Sequence, residues 1–270
     1  MNKLAVIGNP VKHSLSPQIF TLFAKQMGVE IQYDKVFSEL KDFSHTVTNL
    51  REQDYMGANV TVPFKQEAFE FADEHAPSAQ AVGVANVLIF QEDGSTIAHN
   101  TDGIGIVNDV SRQIGEIKDK SILLLGAGGA AKGALYSLLQ QQPSKVTLVN
   151  RTASRAVELR EQFEQLGNIQ TSSFEALSQP CDIIINATSS GLHNTKLPIP
   201  IHVLTQQTLC YDMVYGKSTP FLQWAEENGA QTSDGLGMLV EQAAEGCKIW
   251  FGERPETATV LAALAQLVSK

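Results

Sequence analysis

SILLLGAGGAAKG, residues 121–133, decides how the rest of the chain is read. Ile122 to Leu125 is an apolar run without charge, the composition of a strand buried in a parallel sheet, and it passes directly into a glycine cluster and a helix-compatible segment. Gly126, Gly128 and Ala131 satisfy G-x-G-x-x-G/A. In that pattern the first position permits a tight turn, the second lets backbone approach a pyrophosphate, and the third packs helix against strand. The helix start then offers unpaired N–H groups to an anion. Glycine clusters also close ordinary βα turns, so the context decides. A helical stretch Ala130 to Gln141, a break at Pro143 and Ser144, and a second strand Lys145 to Val149 complete a βαβ unit. The complete unit favours dinucleotide binding over a structural turn.

At the end of the second strand an NAD site places Asp or Glu on the ribose 2′-hydroxyl. This chain has Asn150-Arg151-Thr152, with Arg155 one turn later. No acid is there to repel a 2′-phosphate, and guanidinium groups attract it through charge-assisted hydrogen bonds, so the implied cofactor is NADP. The alternative is that both arginines only solvate a helix start. Cations are disfavoured there by the helix dipole, which favours the phosphate reading.

The chain has 270 residues and a net charge of −9, with a pI of about 5.2. That length suits two modest domains with separate cores. The acidic balance argues against nucleic acid or an anionic membrane surface as partner. Cys181, Cys210 and Cys247 are odd in number and far apart, without metal-ligand spacing. Neither a disulfide framework nor a metal site is expected, and the thiols read as reduced in a cytoplasmic protein. The N-terminal apolar run is too short for a signal peptide, and no stretch approaches a membrane span.

Taken in order, Leu4 to Ile7 reads as a strand stopped by Gly8-Asn9-Pro10, and Ser16-Pro17 opens a helix to Met27 with Ser16 at the cap. Strands are expected at Ile31 to Val36 and Gly57 to Val62, helices at Phe43 to Glu52 and Lys65 to His75. Val84 to Gln91 and Thr96 to His99 flank Asp93-Gly94, a hairpin signal, so the first half is an α/β domain with a mixed sheet. A helix runs from Asn100 to Ile114. After the βαβ unit, strands at Ile169 to Thr171, Ile183 to Asn186 and Leu209 to Met213 extend a doubly wound sheet. Leu239 to Phe251 and Thr257 to Val268 read as two final helices.

Four polar clusters stand out. Ser14 and Ser16 lie between a strand end and a helix, where capping alone accounts for Ser16. Asn59 and Thr61 alternate on one face of a strand, which is either a solvent face or a binding face. Lys65 at a helix start favours the second, since a cation there is better directed into a cleft. Asn86 and Asp102 adjoin buried-type segments, and a buried Asp needs a partner such as Lys65. An interdomain ion pair, a simple N-cap and catalysis all remain open for Asp102. Asp234-Gly235-Leu236-Gly237-Met238 supplies a backbone turn before a helix, with Gln242 one turn after Met238.

The motifs GNPVKHSLSP, NVTVPFK, NTDG, GAGGAAKG, NRT, NATSSG, DMVY and DGLGMLVEQAA occur in the order found in the shikimate dehydrogenase family, which the chain resembles over nearly its whole length. The resemblance implies that Ser14, Ser16, Asn59, Thr61, Asn86 and Gln242 bind the substrate's carboxylate and hydroxyls, with Tyr215 lining the site and Lys65 and Asp102 as the catalytic pair, both touching substrate. It implies that Gly126, Ala127, Gly128, Gly129, Ala130 and Ala131 hold the pyrophosphate and that Asn150, Arg151, Thr152 and Arg155 hold the 2′-phosphate. Thr188, Met213, Gly235 and Met238 would line the nicotinamide. Two departures stand out: Gly83-Val84-Ala85-Asn86-Val87 replaces the family's Gly-Ala-Val-Asn-Thr, and Lys132 stands where arginine is common. The first puts a threonine hydroxyl contact in doubt, while the second keeps the positive charge.

The resulting expectation is an α/β chain with residues 1–100 as substrate domain, joined by C-terminal helices in 238–270, and residues 101–237 as a Rossmann-type NADP domain. The reaction is reversible NADP-dependent reduction of 3-dehydroshikimate to shikimate in aromatic amino-acid biosynthesis, by a monomer or homodimer acting on a small molecule. A quinate/shikimate dehydrogenase with looser cofactor choice is the near alternative, and the two arginines argue against it. A noncatalytic NADP sensor would have no need for Lys65 and Asp102, nor a methyltransferase for Arg151 and Arg155.

Overall fold

A computed structural model describes residues 1–268, among which the chain forms twelve strands and ten α-helices. By its internal contacts it divides into two compact units, Met1–Gly105 with Val240–Val268, and Ile106–Leu239.

The first unit contains β1 (Asn2–Gly8), α1 (Ser16–Met27), β2 (Ile31–Phe37), α2 (Phe43–Glu52), β3 (Gly57–Val60), α3 (Lys65–Phe71), β4 (Glu74–His75), α4 (Pro77–Val82), β5 (Val87–Phe90) and β6 (Thr96–His99). Its sheet has the order β2-β1-β3-β5-β6-β4. β5 runs antiparallel to both β3 and β6, so the sheet is mixed as expected. Leu4 to Ile7 in β1 are buried, as befits a strand with neighbours on both sides. On α1 the buried residues Ser16, Ile19, Phe20, Phe23 and Ala24 follow the spacing of one helical face, and Gly28 ends the helix in the left-handed region at φ 65°. Each buried Phe contributes roughly 1.5–3 kcal/mol.

Two expectations fail here. The helix expected over Lys65 to His75 ends at Phe71, because the backbone N–H groups of Asp73 and Ala76 donate to Thr96 and Ala98 and draw residues 74–75 into the sheet. The strand at Gly57 stops at Val60 rather than Val62. Phe64 N–H donates to Thr61 C=O at 3.0 Å in a turn, which leaves Val62 61% exposed instead of opposite Thr61 on a strand.

α5 (Asp102–Ile114) leads into the second unit, with β7 (Ser121–Leu125), α6 (Gly129–Leu139), β8 (Lys145–Val149), α7 (Ala153–Phe163), β9 (Ile169–Ser172), β10 (Ile183–Asn186), β11 (Leu209–Asp212), α8 (Pro220–Glu227) and β12 (Gln231–Ser233). The order β12-β11-β10-β7-β8-β9 is parallel throughout, the doubly wound topology whose order reverses between β7 and β10. The central strands β7, β8, β10 and β11 are almost wholly buried and apolar, as two helical layers require. The chain then returns to the first unit through α9 (Leu236–Phe251) and α10 (Ala258–Val268). Trp250 of α9 donates from Nε1 to Leu88 C=O at 3.2 Å and covers Gly57, where a methyl group would overlap both the indole nitrogen and that carbonyl.

Candidate active site

In the first unit the expected polar residues, Thr61 excepted, share one hydrogen-bonded network. Lys65, the first residue of α3, donates from Nζ to Asp102 Oδ2 at 2.6 Å. Asp102 is the first residue of α5, where a carboxylate suits the helix dipole. Its other oxygen, Oδ1, accepts from Asn86 Nδ2 at 2.9 Å. Asn100 Oδ1 accepts the Asp102 N–H at 3.1 Å, while the two Asp102 carboxylate oxygens are engaged by Lys65 and Asn86. Both members of the ion pair belong to the first unit, which removes the interdomain alternative. Lys65 and Asp102 side chains are 29% and 20% exposed, desolvated enough to interact strongly and open enough to be reached.

Asn86 is the centre of the cluster, at 3% exposure. Its Oδ1 accepts the Thr101 N–H at 2.8 Å, and its Nδ2 lies 3.0 Å from Thr101 Oγ1 and 3.3 Å from Gln242 Oε1. Gln242 comes from α9, so the C-terminal helices complete this side of the network. Asn59, on β3, donates from Nδ2 to Asn86 C=O at 3.2 Å. Its Oδ1 accepts from the Tyr33 hydroxyl at 2.6 Å. Tyr33 in turn is hydrogen-bonded by the Ser16 side chain, and Ser14 Oγ donates to Ser16 Oγ at 3.1 Å. Burial raises the Tyr33 phenol well above its ordinary value, against the opposing bond from Ser16, so it remains a donor at neutral pH. Ser16 is the first residue of α1 with Leu15 at the cap position, and its buried hydroxyl turns inward rather than capping the helix. Thr61 lies just past β3, held through its backbone to Ile7 C=O at 2.9 Å. Tyr215 belongs to the second unit and is outside this network; burial raises its phenol too.

In the second unit the glycine turn joins β7 to α6. Gly126 has φ 111°, a conformation that L side chains rarely adopt, and a Cβ there would meet the Ala187 carbonyl oxygen at 3.1 Å. Gly128 is the cap residue of α6 without a side-chain cap bond, and open space lies before Gly128 and Gly129. Ala127 and Ala130 lie on the same turn, while Ala131 is fully buried. The first N–H groups of α6 have no partner within the helix and no side-chain cap, as an anion site needs. Beyond β8, Asn150 Nδ2 donates to Thr152 C=O at 2.8 Å, and Thr152 is the cap residue of α7. Arg151 and Arg155 are exposed and enter no ion pair among the described residues. Open glycines, unsatisfied N–H groups and two unneutralised guanidiniums fit a dinucleotide carrying an extra phosphate. Thr188 follows β10, its hydroxyl 2.7 Å from Asn186 Oδ1, and Met213 follows β11. Gly235 packs so closely on the Met213 backbone that a methyl group would overlap it, and Met238 sits in the first turn of α9.

Three family models match the chain: the shikimate dehydrogenase substrate-binding domain over residues 6–88, shikimate/quinate 5-dehydrogenase over 109–196, and the shikimate 5′-dehydrogenase C-terminal domain over 235–265. The chain is 47% identical to the shikimate dehydrogenase (NADP(+)) of Methylobacillus flagellatus, with 98% of this chain and 99% of that one covered. It is 46% identical to the protein of the same name from Ruthia magnifica, at the same coverage. The chain belongs to the shikimate dehydrogenase family. A crystal structure of shikimate 5-dehydrogenase from Thermus thermophilus, in complex with NADP(H) and shikimate, superposes with a TM-score of 0.88 at 29% identity, covering 98% of this chain and 99% of that one.

Two residues that this member of the shikimate dehydrogenase family brings into the network, Tyr33 and Thr101, are not among those the sequence singles out. Thr101 adjoins Asp102 in the NTDG motif, and that adjacency is the available signal. Tyr33 lies in the strand sequence IQYDKVF, which carries no local sign of a partner 26 residues away. No helix among the described residues is long and apolar enough to cross a membrane.

Proposed function

We propose that the chain is an NADP-dependent shikimate dehydrogenase, reducing 3-dehydroshikimate to shikimate and catalysing the reverse oxidation in aromatic amino-acid biosynthesis. The observation that carries this reading is the Lys65–Asp102 pair, 2.6 Å apart, at one end of a run of neutral hydroxyls and amides. Such a row of donors and acceptors suits a ring with several hydroxyls, and the pair supplies one proton-handling group beside it.

Substrate is bound in this proposal through Ser14, Ser16, Asn59, Thr61, Asn86 and Gln242, with Tyr215 as a further substrate contact. Residues 106–239 hold NADP, by Gly126 to Ala131 at the pyrophosphate and Asn150, Arg151, Thr152 and Arg155 at the 2′-phosphate. Thr188, Met213, Gly235 and Met238 line the nicotinamide. When bound, NADPH supplies the hydride. Lys65 gives its proton to the substrate oxygen as the carbonyl becomes a hydroxyl, and in the oxidative direction takes it back. Asp102 keeps the lysine aimed at that oxygen and accepts from the hydroxyl, while Asn86 fixes the carboxylate's rotation. The protein acts in the cytoplasm as a monomer or homodimer; its three free cysteines, all buried, support that compartment.

The test is loss of NADPH absorbance with 3-dehydroshikimate, and its gain with NADP and shikimate, with NAD and quinate as further arms. Activity with NADP and shikimate is expected to exceed every other combination. No turnover in either direction would overturn the proposal.

A further inference from the structure

One buried carboxylate in the second unit has no place in the chemistry above. Asp109, on α5, is completely buried. Its Oδ2 accepts from the Tyr211 hydroxyl at 2.7 Å and from Gln113 Nε2 at 3.4 Å, while Oδ1 is paired with Arg112. Tyr211, near the end of β11, is likewise fully buried, and its oxygen accepts the backbone N–H of Met238 at 3.2 Å. Met238 lies in the first turn of α9, where N–H groups have no partner within the helix. Asp234 Oδ1 takes the neighbouring Leu236 N–H at 3.1 Å. One cap thus comes from the adjoining loop and the other from a strand 27 residues earlier.

The two glycines of the DGLGM turn record how tightly this arrangement is held. A methyl group on Gly237 would overlap the Asp109 carboxylate, and one on Gly235 would overlap the Met213 backbone. The turn is clasped between Asp109 on one side and Met213 on the other. Burying a carboxylate at a site that neither reacts nor binds costs free energy unless its partners compensate. Here Arg112 and Gln113 compensate from the same helix, and Tyr211, the partner from outside it, also holds the Met238 N–H at the Met213–Met238 wall.

We propose that Asp109 and Tyr211 are positioning residues for hydride transfer, fixing the Gly235–Met238 turn against Met213 so that the wall meets the nicotinamide ring in one orientation. This rests on the cofactor placement given above. Burial and the adjacent Asp109 carboxylate together keep the Tyr211 phenol protonated, so it donates to Asp109 and accepts from Met238 at once. The adenosine half of the cofactor is held elsewhere and takes no part in this contact.

Tyr211→Phe removes the oxygen and leaves the ring packed, so the fold should survive; Asp109→Asn keeps an acceptor for the phenol and should act as partial rescue relative to Asp109→Ala. In Tyr211→Phe the Met238 amide should exchange with solvent faster than in the unaltered protein. Calorimetry should show NADPH binding weakened while adenosine 2′,5′-bisphosphate, which lacks the nicotinamide, binds as before. Turnover should fall roughly tenfold or more, with a changed deuterium isotope effect from NADPH labelled at the transferred position. Unchanged amide exchange and NADPH affinity in Tyr211→Phe, in an enzyme that still turns over, would overturn the inference alone. Equal weakening of NADPH and the bisphosphate would also overturn it, by showing a general structural role. An unaltered protein inactive on every substrate would overturn the functional proposal instead, and the placement on which this inference depends.

Discussion

Asn86 donates to Asp102 Oδ1 at 2.9 Å, on the opposite side of the carboxylate from the oxygen that receives Lys65. The carboxylate is thereby gripped from both sides, and its plane is set by an amide that is itself held by Thr101 and Gln242. A proton donor placed this way keeps its aim without occupying the carboxylate's remaining lone pairs.

Lys65→Ala is therefore expected to lower kcat by about 10²-fold or more, the scale of a lost acid–base group, with much less change in KM for shikimate. Asp102→Asn should lower turnover as well, with a larger effect on substrate binding. Steady-state kinetics in both directions checks this, and a Lys65→Ala enzyme altered only in KM would make Lys65 a binding residue.

Arg151 is exposed and outside any ion pair among the described residues, so its charge is available to a 2′-phosphate. Losing one charge-assisted bond of ~1.5–3 kcal/mol should weaken NADPH by about 10- to 100-fold in Arg151→Ala. NADH, lacking the phosphate, should be affected little. Equal losses for both cofactors would refute the assignment.

The three cysteines are buried, and burial raises their thiols, Cys181 to about 11 and Cys210 and Cys247 to about 12. Thiolate is the reactive form, so a thiol reagent at neutral pH should modify none of them in the native protein and all three after unfolding. Rapid labelling with loss of activity under native conditions would contradict this.

His99 closes β6, and its carbonyl accepts the Asn86 N–H at 3.0 Å. Burial lowers its pKa below the ordinary 6.5. The unfolded chain then binds the proton more readily than the folded one, so this residue's contribution to stability is present above about pH 6.5 and is lost as pH falls through the folded value. Urea unfolding across that range should show a decline toward acid that is shallower in His99→Gln. An identical decline in both proteins would assign it to other groups.

The second unit was legible because its decisive features are local: the apolar run Ile122 to Leu125, the positive φ of Gly126 and the burial of Ala131 all follow from thirteen consecutive residues. Hairpin β5–β6 was legible for the same reason, its turn built on Asp93 Oδ1 accepting the Ser95 N–H at 2.9 Å. What escaped were features decided at long range. β12 is three polar residues that form a strand only because β11 offers an edge. Residues 74–75 pair with β6 against a helical pattern. Ser16 looked like a cap because nothing nearby in sequence announces Tyr33 as its partner.

The first unit is discontinuous, and Trp250 seals it, its ring against Phe20 and its Nε1 on Leu88 C=O. A ribosome delivers the chain from its N-terminus at ~5–20 residues per second, so the stretch from residue 106 to Trp250 takes on the order of ten seconds. Throughout that interval the Leu88 carbonyl and the Phe20 ring lack their cover, while the unbroken run Ile106–Leu239 is already emerging. The half begun first is the half finished last, and the nascent first unit stands open to chaperones and proteases until the final helices arrive.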